Sequence, residues 1–211
     1  MVLDADGVGT VAPLAPAGPG TPLRLRLDAV IGEGREIFRR FDAEVRRESF
    51  HPFVPADYDR VLAALAALHR PGLRFLELGS ATGVIAIMAD LLGFDACGIE
   101  LDESLVEVAR GLARRHDSGA RFAAGSFLPD GYRFSGVDGD ARIGTLGYGT
   151  PAYAALGHTL ADFDVVYGYP WDGEGPILHD LMRRHGAPGA RLVVLSGADG
   201  VRVFRDGVAE G

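Results

Sequence analysis

Apolar positions along the chain follow two repeating patterns, and their order predicts the architecture. Leu23-Arg24-Leu25-Arg26-Leu27 alternates strictly, which predicts a half-buried strand ending at Gly32-Glu33-Gly34. Ile37, Phe38, Phe41 and Val45 then fall at helical spacing, an amphipathic helix to about Arg47. Pro52 and Pro55 interrupt the chain. A second helix runs from about Asp57 to His69, with Tyr58, Val61, Leu62, Leu65 and Leu68 on its apolar side, and Pro71-Gly72 stops it. From there strands (73–78, 95–100, 120–124, 163–168, 191–196) alternate with helices (82–92, 103–116, a short one within 151–160, Pro176–His185). A Gly-rich irregular stretch spans 125–150, and Val201–Arg205 alternates again. This order predicts an α/β fold: a doubly wound, mainly parallel sheet with N-terminal helices. In such sheets ligands sit beyond the carboxyl ends of the strands, at the switch point beside the first one.

Composition narrows the class. At 211 residues and 47% hydrophobic, the chain has the size and core content of one α/β domain. Residues 1–21, rich in Gly, Pro and Ala, are expected to be a flexible tail, 22–72 a strand and helices packed on the core, and 73–211 the core. No apolar run approaches the ~20 residues of a membrane span. Asp4 and Asp6 stand where a signal peptide carries cations, so a cytoplasmic location is expected. The net charge of −8, with no basic cluster longer than Arg46-Arg47, argues against nucleic acid and anionic lipid as partners. Cys97 is the single cysteine and lies in an apolar strand pattern, which predicts a buried, inert thiol. The six histidines show no close pairing, so no metal site is expected; His69, His116 and His185 each close a helix, where a cation suits the dipole. Lys, Asn and Gln are absent, which excludes Schiff-base and side-chain amide chemistry.

The chemistry concentrates at Glu77-Leu78-Gly79-Ser80-Ala81-Thr82-Gly83. A strand runs into a glycine turn and a helix N-terminus there, a place where free backbone N–H groups are expected to point outward. The second strand ends in Gly98-Ile99-Glu100-Leu101-Asp102, and Glu100 is placed to accept both ribose hydroxyls of an adenosine. A nicotinamide dinucleotide wants Gly-x-Gly-x-x-Gly; here the middle position is Ala81, the third is Val84, and Glu77 brings negative charge near a diphosphate. S-adenosylmethionine carries no phosphate and two positive groups, so charge complementarity favours it.

Glu77–Gly83, Gly98–Asp102 and Phe122-Ala123-Ala124-Gly125-Ser126-Phe127 together resemble the first three motifs of the class I S-adenosylmethionine-dependent methyltransferases. The resemblance runs over residues 73–196 in the family's order. It implies a Rossmann-like methyltransferase core with S-adenosylmethionine as cofactor. Glu77 would address the methionine amino group through water, Gly79, Ser80 and Gly83 would pass under the cofactor, and Glu100 with Leu101 would hold the ribose end. Ser126 stands where the family often has an acid for the adenine amino group, with Phe127 against the ring and Tyr167 at the end of the fourth strand completing the set. After that strand comes Tyr167-Gly168-Tyr169-Pro170-Trp171-Asp172-Gly173-Glu174, which shares only Pro170-Trp171 with the family's amino-directed motif. Tyr169 and Asp172 are the catalytic candidates, Asp172 or Glu174 as a base. Trp171 and His51 are the substrate candidates, and residues 131–150 are a candidate flap. The expected acceptor is a small molecule or peptide. The rival readings are a non-catalytic cofactor- or partner-binding module and a nicotinamide-dependent oxidoreductase.

Overall fold

The computed structural model describes residues 20–44, 53–133, 147, 149–171, 173–197 and 199–210. Helices α1 (Thr21–Glu44) and α2 (Tyr58–Leu68) lead into β1 (Arg74–Leu78), α3 (Val84–Leu92), β2 (Asp95–Glu100), α4 (Glu103–Arg115) and β3 (Arg121–Ala124). A one-turn helix α5 (Tyr153–Leu156) and a 3₁₀ turn (Leu160–Asp162) precede β4 (Val165–Gly168), α6 (Gly175–His185), β5 (Arg191–Ser196), β6 (Gly200–Arg205) and β7 (Val208–Glu210). The seven strands form one sheet in the order β3-β2-β1-β4-β5-β6-β7. The first five are parallel, and β6 is antiparallel to both its neighbours. The α/β, doubly wound, mainly parallel expectation therefore describes the fold. The chain reverses direction across the sheet between β1 and β4, which puts the switch point there.

One expectation is corrected. The alternating Leu23–Leu27 segment is not a strand but the first turns of α1. Leu27, Val30, Ile31 and Gly34 are its buried residues, a spacing of three, one and three that only a helix brings to one face. Leu25, inward on a strand, is instead 65% exposed, and Arg24 reaches Asp28 one turn on at 2.9 Å. The alternation misleads because residues four apart share a face in both geometries. Glycine inside the helix costs about 1 kcal/mol relative to alanine, but Gly34 lets α1 lie on α3: a Cβ there would collide with Val84. The expected helix from Ile37 is the continuation of α1, and β7 has no counterpart among the expectations.

Strand alternation sends side chains to two cores. Phe75, Ala96, Phe122, Val165, Tyr167 and Val193 meet α1–α4; Leu76, Leu78, Cys97, Ile99, Val166, Leu192 and Val194 meet α5 and α6. Cys97 is a free, buried thiol, and burial pushes its pKa up to about 11. No described helix is long and apolar enough to cross a membrane. Residues 1–19 of the expected tail and most of the expected flap lie outside the described residues.

Candidate active site

The carboxyl ends of β1, β2 and β4 bring together most of the residues singled out above. Between β1 and α3 the turn depends on left-handed backbone, with Gly79 at φ 71°, Ala81 at 43° and Gly83 at 75°. The N–H groups of residues 79–81 and 83 do not point outward. Those of Gly79 and Ser80 both donate to Ile99 O at 2.9 Å, Ala81 N–H donates to Glu100 Oε2 at 2.8 Å, and Gly83 N–H donates to Ser80 O at 2.7 Å. The expected nest of free donors is thus spent on tying the turn to β2, which leaves a poor seat for a phosphate.

Glu100, half-buried at the end of β2, also accepts from Asp102 N–H through Oε1 at 3.0 Å. Each carboxylate oxygen keeps a lone pair for a diol. Leu101 beside it is 51% exposed, an apolar surface at the strand end that approaches Gly147 and Gly149. Gly83 serves packing: a Cβ there would meet Phe122 at 2.5 Å and Ala109 at 2.8 Å. Ser80 turns inward against Gly98 and Phe122, with its hydroxyl buried and without a hydrogen-bond partner.

Glu77 is the acid on the otherwise apolar face of β1, 4% exposed, and Oε2 accepts from Ala86 N–H in the first turn of α3 at 2.9 Å. Burial drives its pKa well above the usual carboxylate range; the Ala86 bond opposes that and the Glu100 charge adds to it. Tyr167 lies beside it in register on β4, fully enclosed, and its hydroxyl has no hydrogen-bond partner among the described residues. Tyr58 of α2 is buried in the same core and feels the Glu77 charge. The sequence reading missed Tyr58 as a polar group, since it sits at an apolar helical position. A buried acid, with the Tyr167 and Ser80 hydroxyls partnerless among the described residues, beside a ribose-type acid fits an adenosine that carries a cation.

Two expected adenine contacts sit differently. Ser126 is buried, donates its hydroxyl proton to Gly147 O at 2.5 Å and accepts from Leu128 N–H at 3.1 Å. Phe127 packs into the α5–α6 core among Leu128, Tyr132 and Tyr153. Both therefore have structural duties, and Leu101 offers the freer apolar face.

Past β4, Tyr169, Pro170 and Trp171 are half-buried. Glu174 is 4% exposed, at the start of α6, and accepts from Trp171 N–H at 2.9 Å. Asp172 and His51 lie outside the described residues. A groove of about 700 Å³ between α6 and β5–β6, lined by His179, Met182, Phe204 and Asp206, contains none of these residues.

No protein-family profile matches the chain. Over 65 residues, 31% of this chain and 26% of the other, it is 42% identical to the ribosomal protein L11 methyltransferase of Thermus thermophilus. That stretch is similar to a methyltransferase. The match spans about a quarter of the relative's length. Among solved structures, an RNA methyltransferase from Salinibacter ruber in complex with S-adenosyl-L-homocysteine superposes with TM-score 0.48 at 20% identity, covering 68% of this chain and 78% of that one. A tRNA (uracil-54, C5)-methyltransferase from Pyrococcus abyssi, also with S-adenosylhomocysteine, gives TM-score 0.44 at 20% identity over 71% and 31%.

Proposed function

We propose that the chain is an S-adenosylmethionine-dependent methyltransferase of class I, with the methyl donor seated at the switch point between β1 and β4. The observation that carries this is the pair of acids at the ends of adjacent strands: Glu77, enclosed with no cation beside it among the described residues, and Glu100, bracing the glycine turn. A turn whose N–H groups at 79–81 and 83 are already bonded suits a ligand without phosphate, and a buried acid suits one with an ammonium. The curated similarity supports the same reading.

The bound cofactor supplies an electrophilic methyl group on sulfur. The chain's part is alignment: a nucleophile held in line with that methyl gains most of its rate from proximity. Glu100 takes the ribose hydroxyls, Leu101 covers the nucleoside, and Glu77 with Tyr167 meets the amino-acid end. Trp171 and Tyr169 form the wall on the acceptor side, and Asp172 is the candidate base for deprotonating the acceptor. The acceptor is a small molecule, a peptide or an RNA group that fits an aromatic wall.

Isothermal titration tests the donor. S-adenosylhomocysteine is expected to bind more tightly than NAD, and the reverse order ends the proposal. Methyl transfer by the purified protein to candidate acceptors tests the enzyme. Binding without turnover on every acceptor class would favour a non-catalytic module.

A further inference from the structure

Glu77 is enclosed on every side by groups that do not neutralise it. From α3 comes one donor, Ala86 N–H. From β4 comes Tyr167, in register and with its hydroxyl unpartnered among the described residues, with Tyr169 beyond the strand beside it; from α2 comes Tyr58; from β2 comes a second acid, Glu100. Arg35 of α1 acts on Tyr58, and its guanidinium is held by Asp59 at 3.2 Å. A bare carboxylate in such a place carries a desolvation cost that one N–H donor does not offset. Either a proton or a cation must cancel its charge.

We propose that Glu77 holds a proton in the ligand-free protein, and that a ligand ammonium takes that proton's place on binding. The inference rests on the methyl-donor reading above and names how its amino-acid end is recognised. The balance is simple: the ligand enters with its ammonium charged, the Glu77 O–H bond breaks, the proton goes to the solvent, and a carboxylate–ammonium pair remains. The site is neutral before and after. Tyr167 then gains an ionised acceptor for its hydroxyl. The direction of the Glu77 pKa, raised by burial and by Glu100, agrees with this.

The sign follows from linkage. A proton released on binding makes affinity rise with pH, up to about tenfold per unit below the pKa of Glu77 in the free protein. The ligand's own amino group stays largely charged below about pH 7.5. Titration of S-adenosylhomocysteine between about pH 5.5 and 7.5, in buffers of different ionisation enthalpy, should show tightening with pH and release of up to one proton. 5′-Methylthioadenosine keeps the adenosine and the thioether but lacks the ammonium; its affinity should be flat, with no proton released. Glu77→Gln still accepts from Ala86 N–H. It should bind S-adenosylhomocysteine at least tenfold more weakly and without the pH slope, while its 5′-methylthioadenosine affinity stays within twofold. Thermal unfolding of the variant verifies that it folds; if it does not, the wild-type proton count decides alone. S-adenosylhomocysteine binding with no proton release, or a Gln variant that keeps the slope, overturns the inference and leaves the methyl-donor reading standing. Failure of both ligands to bind the wild-type protein at any pH removes the methyl-donor reading, and the inference with it.

Discussion

The carboxyl ends of β1 and β2 and the carboxyl end of β4 meet at one switch point, yet they are built from different material. On the β1–β2 side the groups are acids and backbone: Glu77 under the first turn of α3, Glu100 across the turn, and N–H donors committed at 2.7–2.9 Å. On the β4 side they are two half-buried rings, Tyr169 and Trp171, with Glu174 accepting from Trp171 N–H. The difference teaches what each side reads. A fixed set of polar groups selects one ligand by charge and hydrogen bonding, whereas an aromatic wall accepts many shapes. On the methyl-donor reading proposed above, the first side selects the cofactor and the second only bounds an acceptor.

The comparison breaks most visibly if the turn is disturbed. Gly83→Ala places a Cβ at φ 75° against Phe122 and Ala109, combining left-handed strain with overpacking. Denaturant unfolding should show a loss of about 3 kcal/mol or more. Gly189→Ala, at φ 78° with nothing within 4 Å, carries the strain alone and should lose about 1 kcal/mol. Equal losses would mean that Gly83 is needed for its backbone and not for packing. Next in size, Glu100→Ala should weaken S-adenosylhomocysteine and 5′-methylthioadenosine alike, by about tenfold or more, since a hydrogen bond to a charged group contributes about 1.5–3 kcal/mol. An unchanged dissociation constant in the folded variant removes Glu100 from the site. Trp171→Ala tests the other side. It should leave S-adenosylhomocysteine affinity within about twofold while transfer to any acceptor found falls about tenfold. A large loss of cofactor affinity would merge the two sides into one.

Much of this was legible in the sequence, for identifiable reasons. The strand and helix order from 73 to 205 could be read because each element carries its own period and its own stop: Gly93 closes α3 in the left-handed conformation, and Asp102 caps α4. Glu77 and Glu100 stood out because acids at the ends of apolar strands have no packing role. The first strand was misread because Leu23 and Leu27 share a face in either geometry, and only the burial of Val30, Ile31 and Gly34 decides for the helix. The state of the turn's N–H groups was not legible. Whether a donor is free depends on what lies opposite it, and Ile99 O and Glu100 sit across the turn on another strand. Ser126 and Phe127 were assigned to a ligand for the same reason: their competing partners, Gly147 and the α5–α6 core, are distant in sequence.

The smallest effect falls on the residue that most sets this turn apart from a dinucleotide turn. Ala81 stands at φ 43°, in a region that costs a non-glycine residue about 1–2 kcal/mol, and its N–H is bonded to Glu100. Glycine would remove that strain but widen the unfolded ensemble, which offsets about 0.4–1 kcal/mol. The net expectation for Ala81→Gly is a gain of about 0.5 kcal/mol in denaturant unfolding, with the Glu100 bond kept and S-adenosylhomocysteine affinity unchanged within about twofold. If the turn instead admitted phosphate once it was given its glycine, NAD affinity would rise in this variant. The structure predicts no such rise, because the donors at 79, 80 and 81 remain tied to β2 whichever residue stands at the middle position.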